Sequence, residues 1–243
     1  MNRRLVLAAA AALVFILYTQ LSRYLPFISG QAGAAVSVLV GAPLFAAGIV
    51  GLWPLRRLGH WLLVVAAGGV AVAALFTVLG WIPGSNIGKT VAATGVGFWL
   101  ASQVEELWWY IPVALASAGV DLFSVFAGPT KALLAQGPKV VGYFTVAMTW
   151  WGATWHQAYT ALGVSDLIFF AFYYAAAERF GLRRALTVVC MVASFIVTVI
   201  VSFWFSALPA LPLLAVGFVA PNADLLWRAL RQALGRADGG DTG

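Results

Sequence analysis

Long apolar runs, separated by short polar joints, make up nearly the whole chain. A membrane-spanning helix needs about 20 apolar residues, and backbone that faces lipid must satisfy its own hydrogen bonds. Runs of suitable length occupy 5–21, 32–53, 60–81, 88–104, 107–127, 162–178, 184–205 and 208–222. The pattern therefore predicts an all-α, polytopic membrane bundle of eight to nine transmembrane helices.

The composition supports a membrane protein and excludes other classes. The chain has 243 residues, of which 63% are hydrophobic and 9% charged. A soluble domain carries about 25% charged residues, so this chain cannot cover a water-facing surface. The net charge of +6 lies mainly in the joints. We therefore expect the chain to lie in a lipid bilayer, with its basic residues at the lipid headgroups, and we do not expect it to bind nucleic acid.

The ends of the chain set the expected topology. The first run follows Arg3-Arg4 without a small-x-small cleavage site, which favours an uncleaved first span. Eight spans place both termini on one side, and most arginine-rich joints fall on that side. The C-terminus is therefore expected in the cytoplasm. Residues 223–243 form a polar tail, within which 237–243 are expected to be disordered.

Two acids lie well inside apolar sequence. Asp121 stands near the end of the run 107–127, and Asp166 stands near the start of the run 162–178. A charge in hydrocarbon costs several kcal/mol, so an intramembrane aspartate is a functional candidate. If the two helices are antiparallel neighbours, a rise of about 1.5 Å per residue brings both acids to one depth.

The connection 128–161 decides whether this match holds. Residues 140–155 are apolar and aromatic but contain Gly142 and Gly152. They form either a ninth span or an interfacial helix or hairpin over the site. We favour the second interpretation, because a full span would reverse the direction of the helix that carries Asp166.

Two carboxyl groups at one depth suit peptide hydrolysis. They cannot both ionise at contact distance, so the pair keeps one proton and titrates as a unit. One group then activates water while the other protonates the departing amine. The alternatives are a proton- or ion-coupled transporter and an aspartate that backbone groups alone satisfy. A transporter is expected to show an internal repeat with broken helices, and the sequence has no visible repeat.

Three motifs resemble those of presenilins and signal peptide peptidases. Residues 162–170, Leu-Gly-Val-Ser-Asp-Leu-Ile-Phe-Phe, resemble the Gly-x-Gly-Asp motif of that family. Residues 120–126, Val-Asp-Leu-Phe-Ser-Val-Phe, resemble its Tyr-Asp motif, and 209–211 match its Pro-Ala-Leu signature. The motifs occur in the family's order within 107–222, while the first hundred residues match only as apolar spans.

The resemblance implies an intramembrane aspartyl protease, a prokaryotic homologue whose catalytic pair is Asp121 and Asp166. Its substrates would be transmembrane peptides or proteins, and no metal or organic cofactor is implied. On this basis 1–106 are scaffold helices and 107–222 are catalytic helices. The residues expected to shape the active site and bind substrate are Gly163, Ser165, Pro209, Ala210 and Leu211.

The chain also departs from the family's pattern. Val120 replaces the tyrosine, Ser165 replaces the second glycine, and eight runs fall one short of nine spans. These changes leave a catalytically inactive scaffold as a further alternative. Serine is nearly as small as glycine, and its hydroxyl is able to hydrogen-bond the Asp166 carboxylate. Pro209 and Pro212 remove backbone donors, which predicts either an irregular cavity-lining segment or a simple helix start at Leu208.

Overall fold

The computed structural model describes residues 2–128, 138–154, 157–202, 204 and 208–238. Helices dominate this part of the chain, with one short pair of strands in its middle. In chain order the elements are α1 (Arg3–Leu21), α2 (Gly30–Gly51), α3 (Leu62–Val78), α4 (Ile82–Gln103), α5 (Tyr110–Phe126), α6 (Pro138–Phe144), β1 (Thr145–Thr149), β2 (Tyr159–Gly163), α7 (Val164–Arg179), α8 (Arg184–Ser202), α9 (Leu211–Val219) and α10 (Ala223–Asp238).

Several helical segments have the length and composition of membrane spans. Within the described residues there are six: Arg3–Tyr24, Gly30–Gly51, Trp53–Val78, Leu107–Phe126, Arg184–Ser202 and Leu211–Gly235. The chain is therefore a helical, multi-pass membrane protein. The expected count of eight to nine is not reached by this measure, and α7 has only 16 residues.

Helix α7 lies at the centre of the bundle. It packs on α4, α8 and α9, and its aromatic residues from Phe170 to Tyr174 are buried. Gly97 permits the close approach of α4, because a Cβ atom there would stand 2.5 Å from the carbonyl oxygen of Ile168. Small residues at helix contacts are typical of membrane bundles, where packing and not hydrophobic burial drives association.

The connection before α7 does not form a long helix. In its described part, α6 leads into β1, which pairs with β2 in antiparallel fashion. The register places Thr145 opposite Gly163 and Ala147 opposite Ala161. The prediction of a non-spanning hairpin is therefore confirmed for the described residues, and the single sheet adds a β element to the all-α expectation.

The start of α4 differs from the sequence prediction. The run was expected to begin at residue 88, with Lys89 near a polar joint, but the helix begins at Ile82. Lys89 therefore lies two turns inside the helix, and it is buried. The polar residue Ser85 is accommodated inside the helix because its hydroxyl pairs with that of Thr77 at 2.8 Å.

The polar tail also contains more structure than expected. Residues up to Asp238 are helical in α10, so the expectation of disorder was wrong for 237–238, while 239–243 lie outside the described residues. Leu226 is buried, and Ala229, Leu230 and Ala233 are half-buried. This spacing gives a helix one apolar face, which stabilises it against the bundle.

Candidate functional site

Asp166 lies in the first turn of α7, where β2 ends. The residue is 7% exposed, and its carboxyl Oδ2 accepts a hydrogen bond from the Gly163 N–H at 3.1 Å. The Ser165 hydroxyl also interacts with this carboxyl group. The first N–H groups of a helix have no intrahelical partner, so an acid at this position is locally favourable.

Gly163 is required by the position of that acid. A Cβ atom added to Gly163 would stand 2.8 Å from Asp166 Oδ2 and 3.2 Å from Ser165 Oγ. The backbone φ of Gly163 is −63°, which any residue adopts, so the restriction is one of space and not of conformation. The motif glycine therefore lets the strand end approach the carboxylate closely.

Asp121 lies on α5 and is held by the start of α9. Its Oδ2 accepts a hydrogen bond from the Leu211 N–H at 2.9 Å, and the Ala210 N–H also interacts with the carboxylate. These are two of the free N–H groups at a helix start, where the helix dipole stabilises negative charge. The Pro-Ala-Leu segment thus contacts Asp121 through its main chain.

The two sequence interpretations of the Pro-Ala-Leu segment are both partly correct. Residues 208–210 are not helical, and the helix begins at Leu211 and not at Leu208. Pro209, Ala210 and Leu211 are buried, so protein covers this irregular backbone. Covered irregular backbone is the form that the interior of a membrane permits.

Helices α5 and α7 run antiparallel, and their contacts bring the two acids to one end of the pair. The Tyr110 ring at the start of α5 packs against Phe180, 5.9 Å away, just beyond the end of α7. Further along, Ser117 Oγ and Tyr173 Oη are 3.1 Å apart. Beyond that contact the Asp121 charge acts on Asp166. The structure therefore brings Asp121, Asp166 and Leu211 into one site.

Sequence reasoning missed the Ser117–Tyr173 contact. Ser117 precedes Asp121 by four residues and Tyr173 follows Asp166 by seven, so each lies on the same helix face as its acid. Both side chains are buried, and the Tyr173 ring stacks on Phe218 of α9 at 4.6 Å. Helical spacing from the two acids is the signal that identifies these residues.

The departures from the family's motifs lie on different sides of the site. Val120 is 68% exposed, although it adjoins Asp121 in the chain. The Val120 side chain is therefore not part of the buried surroundings of Asp166. Ser165, in contrast, contacts the carboxyl group directly.

The hairpin beside the site has one occupied edge and one open edge. Asn86 pairs with both main-chain groups of Ala147, and the Tyr18 hydroxyl donates to the Thr149 carbonyl. Since Ala147 points its N–H and C=O away from β2, its partner Ala161 points its own away from β1. Ala161 is exposed, and no further strand of the described chain lies along this edge.

Comparison with protein-family models, with curated proteins and with solved structures found no match. The resemblance to presenilins and signal peptide peptidases therefore rests on the three motifs.

Proposed function

We propose that this protein is an intramembrane aspartic endopeptidase of the presenilin type, which hydrolyses peptide bonds of transmembrane segments with Asp121 and Asp166. The observation that supports this most strongly is that the two acids lie at the same end of α5 and α7, near enough for the charge of Asp121 to act on Asp166. They come from antiparallel helices, and the Leu211 N–H binds one of them. A shared proton and a water between two such carboxyls are what peptide hydrolysis requires.

The surroundings of the two acids suggest their roles. Asp166 is buried, whereas Asp121 is half-buried and accepts hydrogen bonds from the start of α9. Both acids accept main-chain hydrogen bonds at a helix start, so burial distinguishes them: an ionised carboxylate costs more where it is more desolvated. Asp121 is therefore the base, and Asp166 holds the shared proton.

The reaction then has two steps. Asp121 takes a proton from water as the water oxygen bonds to the peptide carbon, while Asp166 protonates the carbonyl oxygen. In the second step Asp121 returns its proton to the amide nitrogen and the C–N bond breaks. One hydroxyl of the tetrahedral intermediate gives its proton to Asp166, which restores both groups.

A helical substrate hides its peptide bonds, so it must unwind before water attacks. The open edge of β2 offers main-chain partners to an extended segment at Tyr159 and Ala161. Strand addition is a common way of binding an extended peptide. Because β2 ends immediately before α7, a peptide on this edge would lie next to Asp166.

We include in this proposal the finer topology that the sequence predicts. In this proposal α4 and α7, which pack with the six apolar segments, also cross the membrane, and the chain then has eight spans. Arginines at the α2–α3 and α7–α8 connections, with those near the termini, then favour a cytoplasmic C-terminus in a prokaryotic cell membrane.

The direct test uses the full chain in phospholipid vesicles with a labelled transmembrane peptide. We expect a small number of cleavage products, identified by mass spectrometry, that disappear in Asp121→Asn and in Asp166→Asn. Proton flux across the same vesicles is measured in parallel. Flux without cleavage, lost in the same variants, would instead show the transporter. The absence of both activities over a panel of peptides would favour the inactive scaffold.

A further inference from the structure

Lys89 is a buried cation inside the helical bundle. It lies on α4, two turns from the helix start, and is 9% exposed. Among the described residues no acid forms an ion pair with it. A buried charge is costly unless hydrogen bonds compensate it, so its contacts identify what it holds in place.

Those contacts are with the joint between α6 and β1. The Lys89 ammonium group donates to the Gly142 carbonyl at 2.6 Å and to the Thr145 carbonyl at 2.8 Å. Gly142 lies in the last turn of α6, whose carbonyl groups have no intrahelical partner. Thr145 is the first residue of β1. One side chain of α4 therefore fixes both the end of the short helix and the start of the strand.

Asn86 contacts the same strand one turn earlier on α4. Its side-chain amide donates to the Ala147 carbonyl at 2.8 Å, and its oxygen accepts the Ala147 N–H at 3.1 Å. The amide thus replaces a neighbouring strand at this point. With Lys89 it occupies alternate residues of β1, so a shift of one residue in the strand would break every one of these bonds.

The register of β1 determines the position of the acid on the other side of the hairpin. Thr145, bound by Lys89, lies opposite Gly163 in β2. The Gly163 N–H in turn donates to Asp166. A continuous series of contacts thus leads from the Lys89 ammonium group through the two strands to the carboxyl group.

We propose that Lys89 and Asn86 are positioning residues for the proteolytic reaction. They hold β1 against α4, which fixes Gly163 beside Asp166 and leaves the β2 edge open to a substrate strand. The consequence for cleavage rests on the proposed function. The attachment of the hairpin to α4 is independent of it.

The test compares Lys89→Met and Asn86→Ala with Thr90→Val in the full chain in vesicles. Thr90 is a matched control, because it is buried on α4 and its hydroxyl bonds the main chain of that same helix. Amide hydrogen exchange in 145–149 and 159–163 reports the hairpin, and peptide cleavage reports the reaction. Asn86→Ala removes little volume and therefore serves if Lys89→Met does not fold.

We expect exchange in the hairpin to rise roughly 10- to 100-fold in Lys89→Met, because bonds to a charged group are lost. Cleavage should fall by a similar factor and spread over neighbouring peptide bonds, a change that lower overall stability alone does not produce. Thr90→Val should alter neither measurement.

Unchanged hairpin exchange in both variants would overturn the proposal, whatever happens to cleavage. A raised exchange with a normal rate and a single cleavage position would overturn the positioning role. If the native chain cleaves nothing while exchange still rises in Lys89→Met, the proposed function fails and the attachment to α4 stands.

Discussion

Helices α7 and α5 each carry one of the two acids, but their surroundings differ. Ten of the 16 residues of α7 are buried, among them Asp166, whereas three of the 17 residues of α5 are buried. Much of the α5 surface is apolar and exposed, including Leu115, Phe123 and Phe126. Asp166 is thus fixed by the core, while Asp121 depends on its bonds to the start of α9.

This difference in burial suggests that α5 and α7 have different roles in substrate entry. Under the proposed function a substrate has to reach the pair from the lipid, and a helix with few buried contacts moves aside at lower cost than one in the core. We therefore expect α5 to be the side that admits substrate and α7 to be the fixed side. The following variants test the contrast between them.

The largest effect should come from the acids, and it should be equal on the two sides. Removing a general acid or base costs about 10²- to 10⁴-fold in rate, so Asp121→Asn and Asp166→Asn should each lower cleavage by that order. Groups that act as a unit are not additive, so the double variant should be no slower than the single ones. Multiplicative losses would show that the two acids act independently. The measurement is the initial rate of peptide cleavage.

The next largest effect should distinguish the buried helix α7 from the mostly exposed helix α5. Gly163→Ala places a Cβ atom 2.8 Å from Asp166 Oδ2, whereas the same atom at Gly119 on α5 meets nothing within 4 Å. A displacement near 1 Å costs about 100-fold in rate, so Gly163→Ala should lose most cleavage while Gly119→Ala keeps it. Equal losses in the two variants would remove the proposed contrast between the helices.

A smaller effect is expected from the contact that joins the two helices. Ser117→Ala removes the pair with Tyr173, which in the native chain spans 3.1 Å between buried hydroxyls. An ordinary hydrogen bond contributes about 1 kcal/mol, and the Tyr173 hydroxyl is left without this partner. Thermal unfolding in detergent should occur a few degrees lower, and Ser117→Ala with Tyr173→Phe should recover part of the loss. A double variant less stable than Ser117→Ala would contradict this assignment.

The smallest effect should follow from introducing, at position 120, the tyrosine of the motif that residues 120–126 resemble. Val120 is 68% exposed on α5, so Val120→Tyr should change the cleavage rate by less than about twofold. Parallel assays of the native chain and the variant measure this. A large gain would mean that position 120 takes part in the site after α5 moves.

The helices around the acids could be predicted closely from the sequence, because their apolar runs are uninterrupted. The run 107–127 corresponds to α5 and the run 162–178 to α7, each within a few residues. Helix α4 was harder, since Pro83, Gly84 and Asn86 are typical of a joint. In the structure these residues form the first turns of α4, because the Ser85 hydroxyl pairs with Thr77 and the Asn86 side chain pairs with Ala147.

The contacts that complete the site were less accessible to sequence reasoning. The donor to Asp121 is a main-chain N–H of Leu211, and main-chain groups carry no residue signature. The resemblance of residues 209–211 to the Pro-Ala-Leu signature indicated that this segment belongs to the site. Its side-chain chemistry did not indicate which group binds Asp121. The contacts of Lys89 were not predicted, because the start of its helix was placed six residues too late.

The most direct test of the central claim asks whether the two acid positions meet in the membrane. In a chain whose single cysteine, Cys190, is changed to serine, Asp121→Cys and Asp166→Cys are combined and treated with a short bis-thiosulfonate cross-linker. The control combines Val120→Cys with Asp166→Cys. We predict efficient cross-linking within one chain for the first pair and little for the control. Equal yields, or no cross-link between positions 121 and 166, would contradict the existence of a catalytic pair.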